Sequence, residues 1–225
     1  GVFLNGNIDY FLNAAIAASF NAPIAGVFFA LEVIIGHYAL SAFAPVVISS
    51  VAATVICRAH LGELPAFLLP QFGINSLWEF PAFMVLGAVC AIIATIFMWS
   101  IFYAERVFNG LPIPSWLKPA AGGLAVGAIA VEFPHVLGVG YETTDAALQE
   151  LLPLWLLMLL IPLKAAATAI SLGCRFGGGI FTPSLCLGAM TGGAFGIIAA
   201  SVFPHLAASH GAYAIVGMSA LAAAT

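Results

Sequence analysis

Charged side chains are scarce in this sequence. Only 6% of its 225 residues are charged, whereas 63% are apolar, and soluble domains usually carry about 25% charged residues. A chain this poor in charge does not cover a water-facing surface, but its apolar side chains suit lipid. Because helices satisfy their own backbone hydrogen bonds in a bilayer, the composition predicts an all-α, polytopic protein that crosses the lipid bilayer several times.

Basic residues are especially few, which excludes several classes of function. The sequence has five lysines and arginines and a formal net charge of −4, without the basic cluster that nucleic-acid binding requires. The four cysteines lie in apolar runs and lack the paired spacing of a metal site, so we expect small buried side chains. The sequence shows neither a Ser/His/Asp set nor an HExxH motif. We therefore predict no enzymatic activity, no metal, no cofactor and no nucleic-acid partner.

The two ends of the sequence lack the usual terminal signals. There is no initiator methionine, and no basic segment precedes the first apolar run, so no signal peptide is predicted. The last residues, 219–225, stop inside an apolar helical pattern without a capping residue. We expect an internal part of a longer membrane domain.

Uncharged runs indicate the membrane segments, and several of these runs are interrupted or short. The uncharged runs are residues 10–31, 33–57, 80–104, 119–131, 176–204 and 211–225, and the run 151–174 is long enough to span but carries Lys164. The run 80–104 covers about 38 Å as a helix and should tilt in a hydrocarbon core of ~30 Å. Residues 119–131 are too short to span, and residues 62–76 are predicted to form a loop. Tilted, broken and re-entrant helices are typical of a channel or transporter with a site at half-helix ends.

The segment 173–196 carries the sharpest chemical signal. Three glycines (177–179) precede Ile180 and Phe181, and Thr182-Pro183 is typical of a helix start, with Thr182 as the predicted cap. Glycine permits close approach of a backbone or a positive φ. The N–H groups of a helix start, helped by the helix dipole, form an anion site without a formal charge. The alternative is a glycine-rich turn between packed helices.

A second helix start and three isolated charges complete the candidates. Asn21 and Pro23 predict a helix stop followed by a new helix, capped by Asn21 or the residue after it.

Glu32 is either a proton carrier or a buried, hydrogen-bonded acid that fixes a helix end. Lys164 and Arg175 either raise the local potential for anions or pair with a carboxylate or helix carbonyls. Thr143 or Thr144 is the predicted cap of a further helix.

Four segments in order resemble the CLC family of chloride channels and chloride/proton exchangers. The segment GGGIFTPSLCLGAMTGGAFG resembles the family's G-x-F-x-P motif, with Gly179, Phe181 and Pro183 at its fixed positions. ASFNAPIAGVFFALEV resembles a second signature, and LGVGYE (137–142) and VGMSALAAAT (216–225) resemble further CLC segments.

The resemblance implies a fold, a site and partners. It implies an inverted-repeat architecture in which 1–225 is part of a single transmembrane domain, from the end of the first repeat through most of the second. It implies a homodimer with one chloride pathway per subunit, and we expect the plasma membrane of a prokaryote as its location. The backbone amides of Ile180 and Phe181 are implied to contact chloride. The predicted chloride-binding residues are Gly179, Ile180, Phe181, Thr182 and Pro183.

The same resemblance bears on mechanism. The family's serine loop and gating glutamate would lie before Gly1, and its chloride-contacting tyrosine after Thr225. Exchangers typically carry two adjacent glutamates after the second signature, whereas this chain has Glu32 followed by Val33. Val33 carries no proton, which favours a channel, or an exchanger with another proton route. The competing hypotheses are a different broken-helix secondary transporter, which would need polar side chains for its substrate, and a non-transporting membrane scaffold.

Overall fold

The helices of the chain form two compact units. The computed structural model describes residues 2–36, 40–62, 67, 79–112, 114–202 and 210–225, and these residues contain no strand, which confirms the all-α class. One unit comprises Gly1–Ala66 and the other Phe67–Thr225. Most of the loop predicted over 62–76 lies outside the described residues.

The described residues of the first unit form three α-helices and a π-helical segment. They are α1 (Val2–Phe20), α2 (Pro23–Phe29), the π-helix Ala30–Ile35 that continues α2, and α3 (Leu40–Leu61). The π-helix ends at Gly36, whose φ of 73° is left-handed. Such a reversal is open to glycine because it has no Cβ.

The break between α1 and α2 follows from its sequence. Asn21 has a φ of 51°, and Pro23 opens the new helix. Ala22 is the N-cap residue and provides no side-chain cap bond, which selects the second of the two predicted caps. The side chain of Asn21 instead accepts a hydrogen bond of 2.6 Å from Nε of Arg58 on α3.

A buried polar group joins α1 to α3 inside an otherwise apolar unit. The amide nitrogen of Asn13 donates to the carbonyl oxygen of Val46 (2.7 Å) and to Oγ of Ser49 (2.8 Å). Oγ of Ser50 donates to Oδ1 of Asn13 at 2.9 Å. In lipid, such bonds satisfy polar groups that would otherwise lack a partner, and they hold neighbouring helices together.

The second unit is built around one deeply buried helix. Its helices are α4 (Glu79–Gly110), α5 (Lys118–Glu132), α6 (Tyr141–Leu148), α7 (Leu154–Gly173), α8 (Phe181–Val202) and α9 (His210–Ala224). Residues 184–194 of α8 are buried without interruption. A helix that is buried on all sides lies at the centre of its domain, so α8 forms the core of this unit.

Glycines allow α8 and α9 to meet backbone to backbone. A Cβ atom added to Gly192 would overlap the carbonyl oxygen of Tyr213, and one added to Gly188 would overlap the carbonyl oxygen of Gly217. Small residues at such crossings are the usual means by which membrane helices approach closely.

Length and composition identify the helices that can cross a bilayer. Among the described residues, four helical stretches qualify: Phe43–Leu61, Glu79–Gly110, Leu154–Gly173 and Phe181–Val202. They agree with the multi-pass membrane prediction and with the predicted runs 80–104, 151–174 and 176–204. At about 1.5 Å per residue, α5 and α6 are too short to span, which confirms the prediction for residues 119–131.

Candidate functional site

The turn that leads from α7 to α8 begins with a defined helix end. Phe176 N–H donates to the carbonyl oxygen of Ser171 (3.0 Å), and Arg175 N–H donates to that of Leu172 (3.0 Å). This pair of bonds is a Schellman motif, in which the residue at the position of Arg175 is left-handed. Arg175 has a φ of 66° and an exposed side chain, so it does not extend into the protein interior.

The three glycines after this turn keep space open. A Cβ atom added to Gly177, Gly178 or Gly179 would meet no other atom within 4 Å, and none of the three has a positive φ. The three glycines therefore form no left-handed turn and no close contact with other described residues, and close approach of their backbone to an anion stays a prediction. Their effect is to leave the backbone uncovered beside a cavity that larger side chains would enter.

Helix α8 starts directly after these glycines. Ser184 N–H donates to the carbonyl oxygen of Ile180 at 2.9 Å, which makes Ile180 the N-cap and Phe181 the first helical residue. The prediction of Thr182 as the cap is wrong, because the helix begins one residue earlier and Thr182 already belongs to its first turn. The first-turn N–H groups of a helix have no acceptor within it, and Pro183 contributes none.

A cavity of about 300 Å³ opens at this helix start. Gly179, Phe181, Thr182 and Pro183 line it, whereas the side chain of Ile180 packs against the hydrophobic core. The structure thus brings four of the five predicted chloride-binding residues to one cavity wall. The other walls come from one face of α7 and from residues 136–139.

Lys164 lines the same cavity as the glycines and is buried, with 3% of its surface exposed. Its Nζ donates to the carbonyl oxygens of Val136 (2.8 Å) and Gly138 (2.9 Å). It forms no ion pair with a carboxylate among the described residues. Of the partners that the sequence left open, the structure therefore selects backbone carbonyls.

The segment that accepts these bonds is shaped by two glycines. Gly138 has a φ of 63° and Gly140 a φ of 90°. Gly140 is the N-cap residue of α6 and has no side chain to make a cap bond, so the prediction of Thr143 or Thr144 as the cap is wrong. Oγ1 of Thr143 donates instead to the carbonyl oxygen of His135 at 2.9 Å.

A second cavity, of about 720 Å³, shares Leu137, Gly138 and Val139 with the first. Its wall includes Tyr141, and burial raises the pKa of that phenol. Sequence reasoning missed the role of residues 136–140. The signal that was available is the spacing of two glycines immediately before a helix.

Glu32 lies in the first unit, within the π-helical segment. Its side chain is exposed and forms no hydrogen bond or ion pair with the described residues, so both interpretations of this acid stay predictions. The neighbouring Val33 is also exposed. Short π-helical segments frequently occur at functional sites.

Comparison with known proteins supports the fold and the family. A ClcB-like chloride channel protein from Ralstonia nicotianae is 34% identical over 94% of this chain and 49% of its own length. The H(+)/Cl(−) exchange transporter ClcA from Vibrio cholerae is 32% identical over 93% of this chain and 46% of its own length. The chain thus spans about half the length of these relatives.

A solved structure shows the same fold at lower identity. The crystal structure of a CLC-type fluoride/proton antiporter superposes with a TM-score of 0.72 over 91% of this chain and 50% of that one, at 23% identity. The family model described as voltage gated chloride channel matches residues 12–225. The chain therefore belongs to the voltage gated chloride channel (CLC) family.

Proposed function

We propose that the chain forms part of a pathway that carries chloride across a membrane, with an anion site at the start of α8. The observation that carries this proposal is the cavity wall. It combines a helix N-terminus, three glycines that leave the backbone uncovered, and the buried Lys164, which has no carboxylate partner among the described residues. The helix N-terminus and the charge of Lys164 favour an anion over a cation, and the glycines leave the main chain accessible to it.

The proposed site binds chloride through the main chain at Gly179, Ile180 and Phe181, with Thr182 and Pro183 completing the first turn of α8. Backbone N–H groups and the positive end of the helix dipole attract an anion without a full charge in direct contact. Conduction requires that the ion bind strongly enough to enter and weakly enough to leave. Partial charges from the main chain meet that requirement.

We further propose passive conduction rather than proton-coupled exchange. Val33 occupies the position at which exchangers resembling this chain carry a second glutamate, and its side chain holds no proton. A relative named as a chloride channel is consistent with this proposal. Exchange is the second candidate, because another relative is named as an H(+)/Cl(−) exchange transporter.

The proposal extends to the whole protein of which this chain is a part. Both units would belong to one transmembrane domain of a homodimer, an assembly that rests on the family resemblance. Bacterial relatives support the plasma membrane of a prokaryote, although relatives from Arabidopsis thaliana also occur. Cross-linking of the full-length protein in native membranes tests the dimer.

The full-length protein in lipid vesicles tests the transport proposal. Chloride efflux is measured with a chloride electrode, and protein-free vesicles are the control. A potassium ionophore is added so that potassium leaves with chloride and no membrane potential stops the efflux. We expect efflux well above the control. Efflux equal to that of the control would refute chloride transport. A reversal potential that shifts with a pH gradient would identify an exchanger, whereas an unshifted one identifies a channel.

A further inference from the structure

Lys164 differs from every other side chain that lines the 300 Å³ cavity. Among the described residues of that wall it is the one ionisable group. It is also nearly fully buried, with 3% of its surface exposed. A buried ammonium without a carboxylate partner is costly, and a second ion of opposite sign is the most direct compensation.

The hydrogen bonds of Lys164 occupy two carbonyl oxygens of residues that line the cavity. The carbonyl oxygens of Val136 and Gly138 carry partial negative charge, and carbonyl oxygens that face a cavity are the groups that coordinate cations. Both accept hydrogen bonds from Nζ of Lys164, at 2.8 and 2.9 Å. An ammonium has three N–H donors, so two of them hold the carbonyls and one remains for a third acceptor.

We infer that Lys164 makes the cavity selective for anions over cations. It binds the carbonyl oxygens of Val136 and Gly138, and it supplies the positive charge that an anion at the start of α8 balances. This inference deepens the proposed function and rests on it. The main chain at the start of α8 contacts the ion. Lys164, which lines the cavity from α7, acts as a positioning and selectivity residue.

The first test replaces the charge in the full-length protein. Lys164→Met removes the charge and both bonds, Lys164→Gln retains N–H donors without the charge, and Lys164→Arg retains the charge. The readouts in vesicles are the chloride-to-sodium permeability ratio, from reversal potentials, and the half-saturating chloride concentration. We expect Lys164→Met and Lys164→Gln to reduce the permeability ratio by about tenfold and to raise the half-saturating concentration. We expect Lys164→Arg to retain both values.

The matched control is Arg175→Met. Arg175 is a second positive charge beside the same glycine turn, but its side chain is exposed and does not line the cavity. We expect the permeability ratio to remain that of the unaltered protein. An equal loss in Arg175→Met would mean that the permeability ratio depends on nearby positive charge in general and not on the buried position of Lys164, and it would overturn the specific assignment to Lys164.

A second variant leaves Lys164 in place, which keeps the inference testable if its replacements do not fold. Thr168 lies one helical turn from Lys164 on α7 and lines the same cavity. Thr168→Glu places a carboxylate beside the ammonium, where residues four apart on a helix interact, and Thr168→Gln is the uncharged control of the same size. We expect Thr168→Glu, but not Thr168→Gln, to reduce the permeability ratio.

The outcomes separate the inference from the proposed function. If the unaltered protein conducts chloride but Lys164→Gln and Thr168→Glu keep its permeability ratio, the role of Lys164 is refuted and the pathway stands. If the unaltered protein passes no chloride, the proposed function fails. In that case, chloride-dependent thermal stabilisation that disappears in Thr168→Glu still supports an anion held by Lys164, whereas its persistence contradicts it.

Discussion

A Cβ atom added to Gly140 would lie 2.8 Å from the sulfur of Cys186, so the segment before α6 contacts α8 with no room for a side chain. The same atom would lie 3.4 Å from Cε of Lys164. This contact fixes the position of residues 136–140 against α7 and α8. Gly140 does not line the 300 Å³ cavity, but it holds in place the residues 136–139 that do.

The first prediction compares Gly140→Ala with Gly138→Ala. Both glycines have a positive φ, so each substitution brings the left-handed cost of about 1–2 kcal/mol. A Cβ atom on Gly138 meets nothing within 4 Å, whereas one on Gly140 overlaps Cys186. We therefore expect Gly140→Ala to destabilise the protein more, by about 1–3 kcal/mol beyond Gly138→Ala. Thermal unfolding in detergent measures the difference, and equal melting temperatures would contradict the contact.

The second prediction concerns the open space beside Gly178. Because a Cβ atom there meets nothing within 4 Å, Gly178→Ala and Gly178→Val should fold with the melting temperature of the unaltered protein. The added atoms enter the cavity, so chloride efflux should decrease in the order Gly, Ala, Val, by about tenfold for Val, which corresponds to ~1.4 kcal/mol.

Gly87→Val serves as the control for this series. Gly87 lies on α4 and also has open space around it, so its valine variant should retain efflux. Normal efflux from a stable Gly178→Val protein would show that the ion does not pass this turn.

Sequence patterns predicted the local features of this site and missed the distant contacts. The helix break at Asn21-Pro23 and the start of α8 near Pro183 were predictable, because glycine and proline act on the backbone within a few residues of themselves. The partners of Lys164 were not predictable, since Val136 and Gly138 lie 28 and 26 residues away in the chain. Only the tertiary fold brings them together.

The incorrect caps have a related cause. Thr182, Thr143 and Thr144 are all residue types that favour the N-cap, but propensity does not fix the register of a helix start. Helix α6 starts after Gly140, whose φ of 90° lets the chain turn sharply into the helix. The steric freedom of Gly140 at this start outweighs the gain from a side-chain cap, and Thr143 and Thr144 lie inside α6.

The third prediction tests the crossing of α8 and α9 with two neighbouring glycines. A Cβ atom on Gly192 would overlap backbone atoms of Tyr213, which a side-chain rearrangement does not relieve. A Cβ atom on Gly193 would lie 3.5 Å from Cδ1 of Leu157, an ordinary contact. We expect Gly192→Ala to lower the melting temperature strongly, by at least the ~1–3 kcal/mol typical of overpacking.

Gly193→Ala provides the matched comparison within the same helix. Alanine is favoured over glycine in a helix interior by about 1 kcal/mol, so this variant should be as stable as the unaltered protein or more stable. Equal destabilisation by both substitutions would show that helix α8 does not have the described rotation about its axis.

The fourth prediction concerns Glu32 and follows from the proposal of passive conduction. Its side chain is exposed and has no partner among the described residues. Glu32→Gln should therefore leave chloride efflux and the reversal potential under a pH gradient unchanged. Vesicle recordings of the full-length protein measure both. A pH-dependent reversal potential that is abolished by Glu32→Gln would identify Glu32 as a proton carrier and the protein as an exchanger.

Bromide is the most direct probe of the central claim, because it replaces chloride and can be located by its anomalous scattering. Crystals of the full-length protein grown in bromide should show an anomalous peak in the cavity at the start of α8, between the main chain of Gly179–Phe181 and Lys164. A map with bromide peaks elsewhere and none in this cavity would contradict the account.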